Sequence, residues 1–371
     1  MAAAPSPHAG MPSAAEPLFI LAMDQRDSFQ RTLFGVTGTP TADQLASMRA
    51  AKWLIFAAAQ RVAGSQPEGS RLGILVDEQL GADVARGART AGFELAMPVE
   101  VSGAERLEFE YGDDFGAHIE AFDPDWVKVL VRFNPADPAE LQQAQIAKLK
   151  QLHDWVASNR RRWLLELLVP ATRKQLAKYE DQALYDEHAR PGLTAEVITS
   201  LTGAGVYPSI WKLEGYDTTE GAQLVLDAVK SRDPVSECVV LGRNAPQRQL
   251  DHWLDIAAPL EGFVGFAIGR SNWNQPLADY LAGRQDQAST ERRIAENYSH
   301  YIRRYFGADT APPDEATRDE PFTLLHPRLT PDREAIIRKS AAGADPRGSM
   351  LPAWMVQSLL AEVDALREEE G

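Results

Sequence analysis

Three charged residues stand inside short apolar runs where a purely structural strand would carry none. They are Lys128 in "WVKVLVRF" (126–133), Glu166 in "WLLELLVP" (163–170) and Lys212 in "SIWKLEG" (209–215). A charge carried toward a protein interior must be paired or put to use. Taken singly, each has a plain alternative as a pleat-facing surface group or half of a buried ion pair. Their coincidence on three successive runs points instead to a site. Desolvation and a nearby cation both lower an amine's pKa. Two lysines and a glutamate converging in an apolar interior would therefore suit one lysine to nucleophilic Schiff-base chemistry. Glu214, two residues beyond Lys212, shares its face of the strand, whereas Trp211 points the other way.

Further polar residues gather at the ends of other apolar runs. "LFILAMDQRD" ends in Asp24, Gln25 and Arg26, and "RLGILVDE" ends in Asp77 and Glu78. Two late runs both end in Gly-Arg, as Gly242–Arg243 and Gly269–Arg270. A glycine lets the backbone approach an anion and an arginine can bind it in two places, so these pairs suit a phosphate. Ser271 or Asn272 is placed to cap a following helix.

The seven histidines are scattered, with no HExxH or His-x-His spacing, so neither a metal nor another cofactor is expected. His118, His153, His188 and His252 fall on helical or loop stretches. No nucleophile elbow supports a serine triad. The single cysteine, Cys238, is expected to be a buried structural residue and fits a reducing cytoplasm.

Eight mostly apolar runs position these residues: 18–24, 71–78, 93–100, 126–133, 163–170, 209–215, 237–242 and 262–269. Helical patterns lie between them, among them 41–63, 139–161 and 194–205. Near-continuous apolar strands alternating with helices predict a parallel sheet covered by helices, and eight units match an α/β fold of the (β/α)8, TIM-barrel type. An open doubly wound sheet lacks support, because no GxGxxG turn follows the first strand and no P-loop is present. In such a barrel, chemistry gathers at the C-terminal strand ends, where the charged residues fall.

Three segments are expected: an Ala- and Pro-rich disordered leader over 1–17, the barrel over 18–307, and a linker with a C-terminal helical extension over 308–371. In the extension, Trp354, Leu359, Leu360, Val363 and Leu366 recur near helical spacing, as a helix packed on the barrel or on a second subunit would have them. A homo-oligomer is expected. A net charge of -15 argues against nucleic acid or an anionic membrane surface as partner, and no apolar run is long enough to span a bilayer. An anionic small-molecule substrate would have to be held by locally placed cations.

"LAMDQRDSFQRTLFG", "WVKVLVRFN", "WLLELLVP", "IWKLEGYD" and "GFAIGRSNW" resemble strand-end motifs of the class I tagatose-1,6-bisphosphate aldolase family. The chain resembles more closely the aldolase-like domain fused to 5-dehydro-2-deoxygluconokinase in inositol catabolism, over about residues 18 to 305. The resemblance implies a metal-independent lyase with Lys212 as the Schiff-base lysine, Lys128 as its tuning neighbour and Glu166 as the acid/base carboxylate. It further implies substrate contacts from Asp24 and Gln25, and phosphate binding by Arg270. The implied reaction is cleavage of 2-deoxy-5-keto-D-gluconate 6-phosphate to dihydroxyacetone phosphate and malonate semialdehyde. Arg26, Arg132 or Arg243 is then a candidate for the substrate carboxylate. Where the tagatose enzymes read Lys-Val-Glu-Val-Pro and Asp-Pro-Glu-Tyr-Gly, this chain has "KLEGYD" and "DEQLG". Another sugar phosphate, such as tagatose 1,6-bisphosphate or sulfofructose 1-phosphate, and a non-catalytic sugar-phosphate-binding barrel remain the alternatives.

Overall fold

The computed structural model describes residues 10–179 and 181–308. The chain divides into Met1–Pro312 and Pro313–Gly371, and all described residues belong to the first unit. The linker and helices expected after residue 308 therefore lie outside the described residues.

Eight strands close into a barrel: β1 (Leu18–Ala22), β2 (Arg71–Leu75), β3 (Glu94–Pro98), β4 (Trp126–Arg132), β5 (Arg162–Leu168), β6 (Ile210–Glu214), β7 (Glu237–Leu241) and β8 (Phe263–Ile268). Each pairs in parallel with the next, and β8 returns to β1 with Leu18 opposite Gly265. The helical stretches of the sequence appear as Ala42–Val62, Ala139–Ser158 and Arg190–Gly203. Thr41 and Gln44 cap the first of these reciprocally.

Alternation along the strands, broken by a register irregularity between β7 and β8, explains why both faces are apolar. Leu18, Ile20, Leu75, Ala96, Trp126, Leu164, Ile210 and Val239 form one buried cluster inside the barrel. Their neighbours, including Phe19, Ile74, Val127, Leu165, Trp211 and Cys238, belong to the second cluster, between sheet and helices. The last helix among the described residues, Gln287–Tyr305, packs on Ala42–Val62 and Arg270–Leu281. It is pinned where Tyr298 donates to the Phe19 carbonyl at 2.6 Å and Tyr305 to that of Phe263 at 2.7 Å.

Residues 10–17, expected as part of a disordered leader, instead pack against the barrel. Pro12 and Pro17 are buried, and Met11 packs against the inner apolar cluster. Arg71 and Arg162 both donate to the Gly10 carbonyl, at 2.9 and 2.6 Å. Such packing removes apolar surface from water and gives two half-buried guanidinium groups an acceptor.

Candidate active site

The inward row that carries Trp126, Leu164 and Ile210 carries Lys128, Glu166 and Lys212 one inward step further along. The β5–β6 register sets Glu166 directly beside Lys212, and the β4–β5 register sets Leu130 beside Glu166. Lys128 and Lys212 are almost wholly buried.

Glu166 lies between the two amines. Its Oε2 is 2.9 Å from Lys212 Nζ and 3.0 Å from Lys128 Nζ. Lys128 also meets Asp24 Oδ2 at 2.8 Å and Glu100 Oε1 at 2.6 Å, so one ammonium holds three carboxylates together. Burial pulls the Lys128 pKa down, but Asp24, Glu100 and Glu166 outweigh it and keep the residue protonated well above the usual lysine range. Burial pushes Asp24 and Glu166 up, and the lysine charges overcome this and hold both below the usual carboxylate range. Glu100 goes the other way: burial raises it despite Lys128 and Arg26.

These groups floor a pocket of about 390 Å³, a volume suited to a small ligand. Gly242, Gly269 and Arg270 line the same pocket, and the Arg270 charge is felt by Glu166 and Asp24. At Gly269 a Cβ would lie 2.6 Å from the Ala22 carbonyl oxygen and 3.2 Å from Gln25 Nε2, so only glycine fits that crossing. Gly269 begins the helix Arg270–Leu281, and no side chain caps it. A Ser271 hydroxyl bond to the Ala245 carbonyl, at 3.0 Å, ties this helix start to the loop after β7. Arg270 is exposed, and its guanidinium makes no ion pair or hydrogen bond among the described residues. An open helix N-terminus, a close glycine and an unengaged arginine together suit a phosphate.

Other sequence candidates have partners of their own. Arg26 lines the pocket but donates to Glu110 Oε2 at 2.8 Å and to the Glu100 carbonyl at 2.7 Å, which makes it a clamp on the wall. Arg243 sits with Asn244 in a tight turn where both have positive φ, 50° and 60°, closed by Ala245 N–H to the Gly242 carbonyl at 2.8 Å. The turn sends Arg243 onto Asp186 at 2.6 Å and Glu214 at 3.1 Å. Arg132 lines the pocket with a 3.3 Å bond to the Ala104 carbonyl. Gln25 also lines it, and its Oε1 is buried without a partner.

Asp77 is a correction: it does not line the pocket. β2 ends at Leu75, and Asp77 accepts from Leu80 N–H at 2.7 Å to cap the helix Glu78–Thr90. It also pairs with Lys52, which is fully buried and would otherwise be an uncompensated charge. Glu100, just beyond β3, is a site residue that the sequence motifs do not mark. The signal was there, as a carboxylate ending the apolar run 93–100.

Comparison of the sequence with curated proteins finds no match. Among solved structures, the fold is shared with a fructose-bisphosphate aldolase from Plasmodium falciparum, at 12% identity and a TM-score of 0.56, over 79% of this chain and 91% of that one. A Corynebacterium glutamicum protein aligns at 15% identity and TM-score 0.49, covering 78% of this chain and 86% of its own. An archaeal fructose 1,6-bisphosphate aldolase aligns at 10% and 0.45, covering 77% and 94%. The family model described as "Uncharacterized protein conserved in bacteria (DUF2090)" matches residues 9–307, and the chain belongs to that family.

Proposed function

We propose that the protein is a class I aldolase that cleaves a phosphorylated keto-sugar or keto-sugar acid through a Schiff base on Lys212. The observation that carries this is the Lys212–Glu166–Lys128 sequence of contacts at 2.9 and 3.0 Å on the floor of a pocket whose wall bears an unengaged arginine. Glu166 is the oxygen next to Lys212 Nζ and accepts its proton, which leaves the amine lone pair free to add to the substrate ketone. Loss of water gives an iminium, which draws the electrons of the breaking C–C bond. Asp24, fixed 2.8 Å from Lys128 and lining the pocket, is the second carboxylate placed to move a proton on the sugar. Lys128 acts as a fixed cation that orients Asp24, Glu100 and Glu166 rather than as a nucleophile.

The substrate phosphate binds Arg270 and the backbone at Gly242 and Gly269, so one product is dihydroxyacetone phosphate. From the family resemblance, 2-deoxy-5-keto-D-gluconate 6-phosphate is the first substrate to assay, ahead of tagatose 1,6-bisphosphate and sulfofructose 1-phosphate. We further propose that the enzyme works in the cytoplasm, as a homo-oligomer and without a metal. Among the described residues no helix is long and apolar enough to cross a membrane.

The decisive experiment is borohydride reduction in the presence of dihydroxyacetone phosphate, followed by peptide mass analysis. A reduced adduct on Lys212 is expected. A folded protein that binds phosphate but gives no adduct would favour a sugar-phosphate-binding barrel instead. Loss of cleavage activity in EDTA would point to a metal enzyme.

A further inference from the structure

Glu100 has so far served only as a partner of Lys128. Its Oε1 lies 2.6 Å from Lys128 Nζ, while its Oε2 is buried with no hydrogen-bond partner among the described residues. The residue lines the pocket. A charged carboxylate oxygen left buried without a donor is costly. A protonated oxygen carries no charge and needs only an acceptor, which a bound ligand supplies.

The charges around it favour that proton. Lys128 from β4 faces Asp24, Glu100 and Glu166. Arg26 reaches only 4.0 Å from Glu100 Oε1 and gives its shorter bonds to Glu110 and the Glu100 carbonyl. Once Glu166 has taken the Lys212 proton, Asp24 and Glu100 are the two ionisable carboxyls left to share the Lys128 ammonium. Of these two, Lys128 holds Asp24 in the ionised form, whereas burial and the Asp24 charge favour neutral Glu100.

We propose that Glu100 is a catalytic acid that supplies the proton for iminium formation on Lys212. The proposal rests on the Schiff-base chemistry above. Addition of the Lys212 amine to the ketone gives a carbinolamine. The Glu100 O–H proton passes to the carbinolamine hydroxyl, the C–O bond breaks and water leaves. The nitrogen lone pair forms the C=N bond, and Glu100 remains as a carboxylate on Lys128. Hydrolysis of the product iminium reverses the transfer and returns the proton to Glu100.

Time courses of borohydride trapping with dihydroxyacetone phosphate test this in wild type, Glu100→Gln and Glu100→Asp. Glu100→Gln should form the Lys212 adduct about 10²-fold or more slowly, with part of the rate restored in Glu100→Asp. Equal rates in wild type and Glu100→Gln overturn the proposal. Infrared difference spectra of wild type against Glu100→Asp, both carrying ¹³C-carboxyl-labelled glutamate, assign the Glu100 band and so decide the matter if Glu100→Gln does not fold. A protonated glutamate signal should disappear when the ketone is added, and a spectrum without that change overturns the role. A wild type that gives no adduct removes the Schiff-base chemistry itself. A wild type that traps normally beside an unaffected Glu100→Gln overturns the Glu100 assignment alone.

Discussion

Glu166 and Lys212 stand side by side across the β5–β6 ladder, with Oε2 2.9 Å from Nζ and both side chains turned into the barrel. Because the contact is set by strand register, substitution at either position should change chemistry more than folding. Glu166→Gln keeps the shape and removes the proton acceptor. It should lower kcat for dihydroxyacetone phosphate release by about 10²–10⁴-fold with little change in KM. Lys212→Ala should abolish both cleavage and the borohydride adduct; full activity in that variant would end the Schiff-base proposal.

Lys128 is a structural cation as much as a functional one. Replacing it with methionine leaves Asp24, Glu100 and Glu166 buried around an apolar chain. Removing one partner of a buried ionic cluster costs about 3–5 kcal/mol, so Lys128→Met should show that loss in urea unfolding. Adding Glu100→Gln to Lys128→Met should recover part of it, since one carboxyl fewer is then left uncompensated. A double variant no more stable than the single would show that the two residues are not coupled.

The barrel and its inward lysines were legible because both signals are local. Apolar runs mark strands buried on two faces, and alternation fixes which side chains share the Trp126, Leu164 and Ile210 row. What could not be read depends on partners distant in sequence. Asp77 ends its apolar run much as Asp24 does, yet a helix starts at Glu78 and the buried Lys52 draws Asp77 away. Arg26 and Arg243 look like substrate cations until Glu110 and Asp186, 84 and 57 residues away, are seen to engage them. Residues 10–17 have a disordered composition and are held by Arg71 and Arg162, far along the chain.

The carboxylates around Lys128 predict a pH dependence of stability with two signs. Asp24 and Glu166 are held below their unfolded values, so their contribution is complete above about pH 4 and is lost as the pH falls through the folded values. Glu100 is raised, so its contribution is complete below about pH 4 and is lost as the pH rises toward its folded value. Denaturant unfolding from pH 2 to 8 should therefore show a shallower acid limb in Asp24→Asn. In Glu100→Gln the fall on the neutral side should be shallower instead. Parallel curves for wild type and both variants would contradict this assignment.

Arg270 differs from the other pocket arginines discussed above in making no ion pair or hydrogen bond among the described residues, so its removal should affect ligand binding most, with a smaller effect through the Glu166 and Asp24 charges that it faces. A charge-assisted contact is worth about 1.5–3 kcal/mol, and each 1.4 kcal/mol is tenfold in affinity. Arg270→Ala should therefore raise KM for a phosphorylated substrate by about 10- to 100-fold, and raise the concentration of inorganic phosphate needed to inhibit by a similar factor. Turnover of an unphosphorylated keto-sugar should fall far less than that of the phosphorylated one. Arg270→Lys keeps the charge without the two-pronged geometry and should fall between. An Arg270→Ala enzyme inhibited by phosphate as strongly as wild type would place the phosphate elsewhere in the pocket, with Arg132 at its other wall the next residue to test.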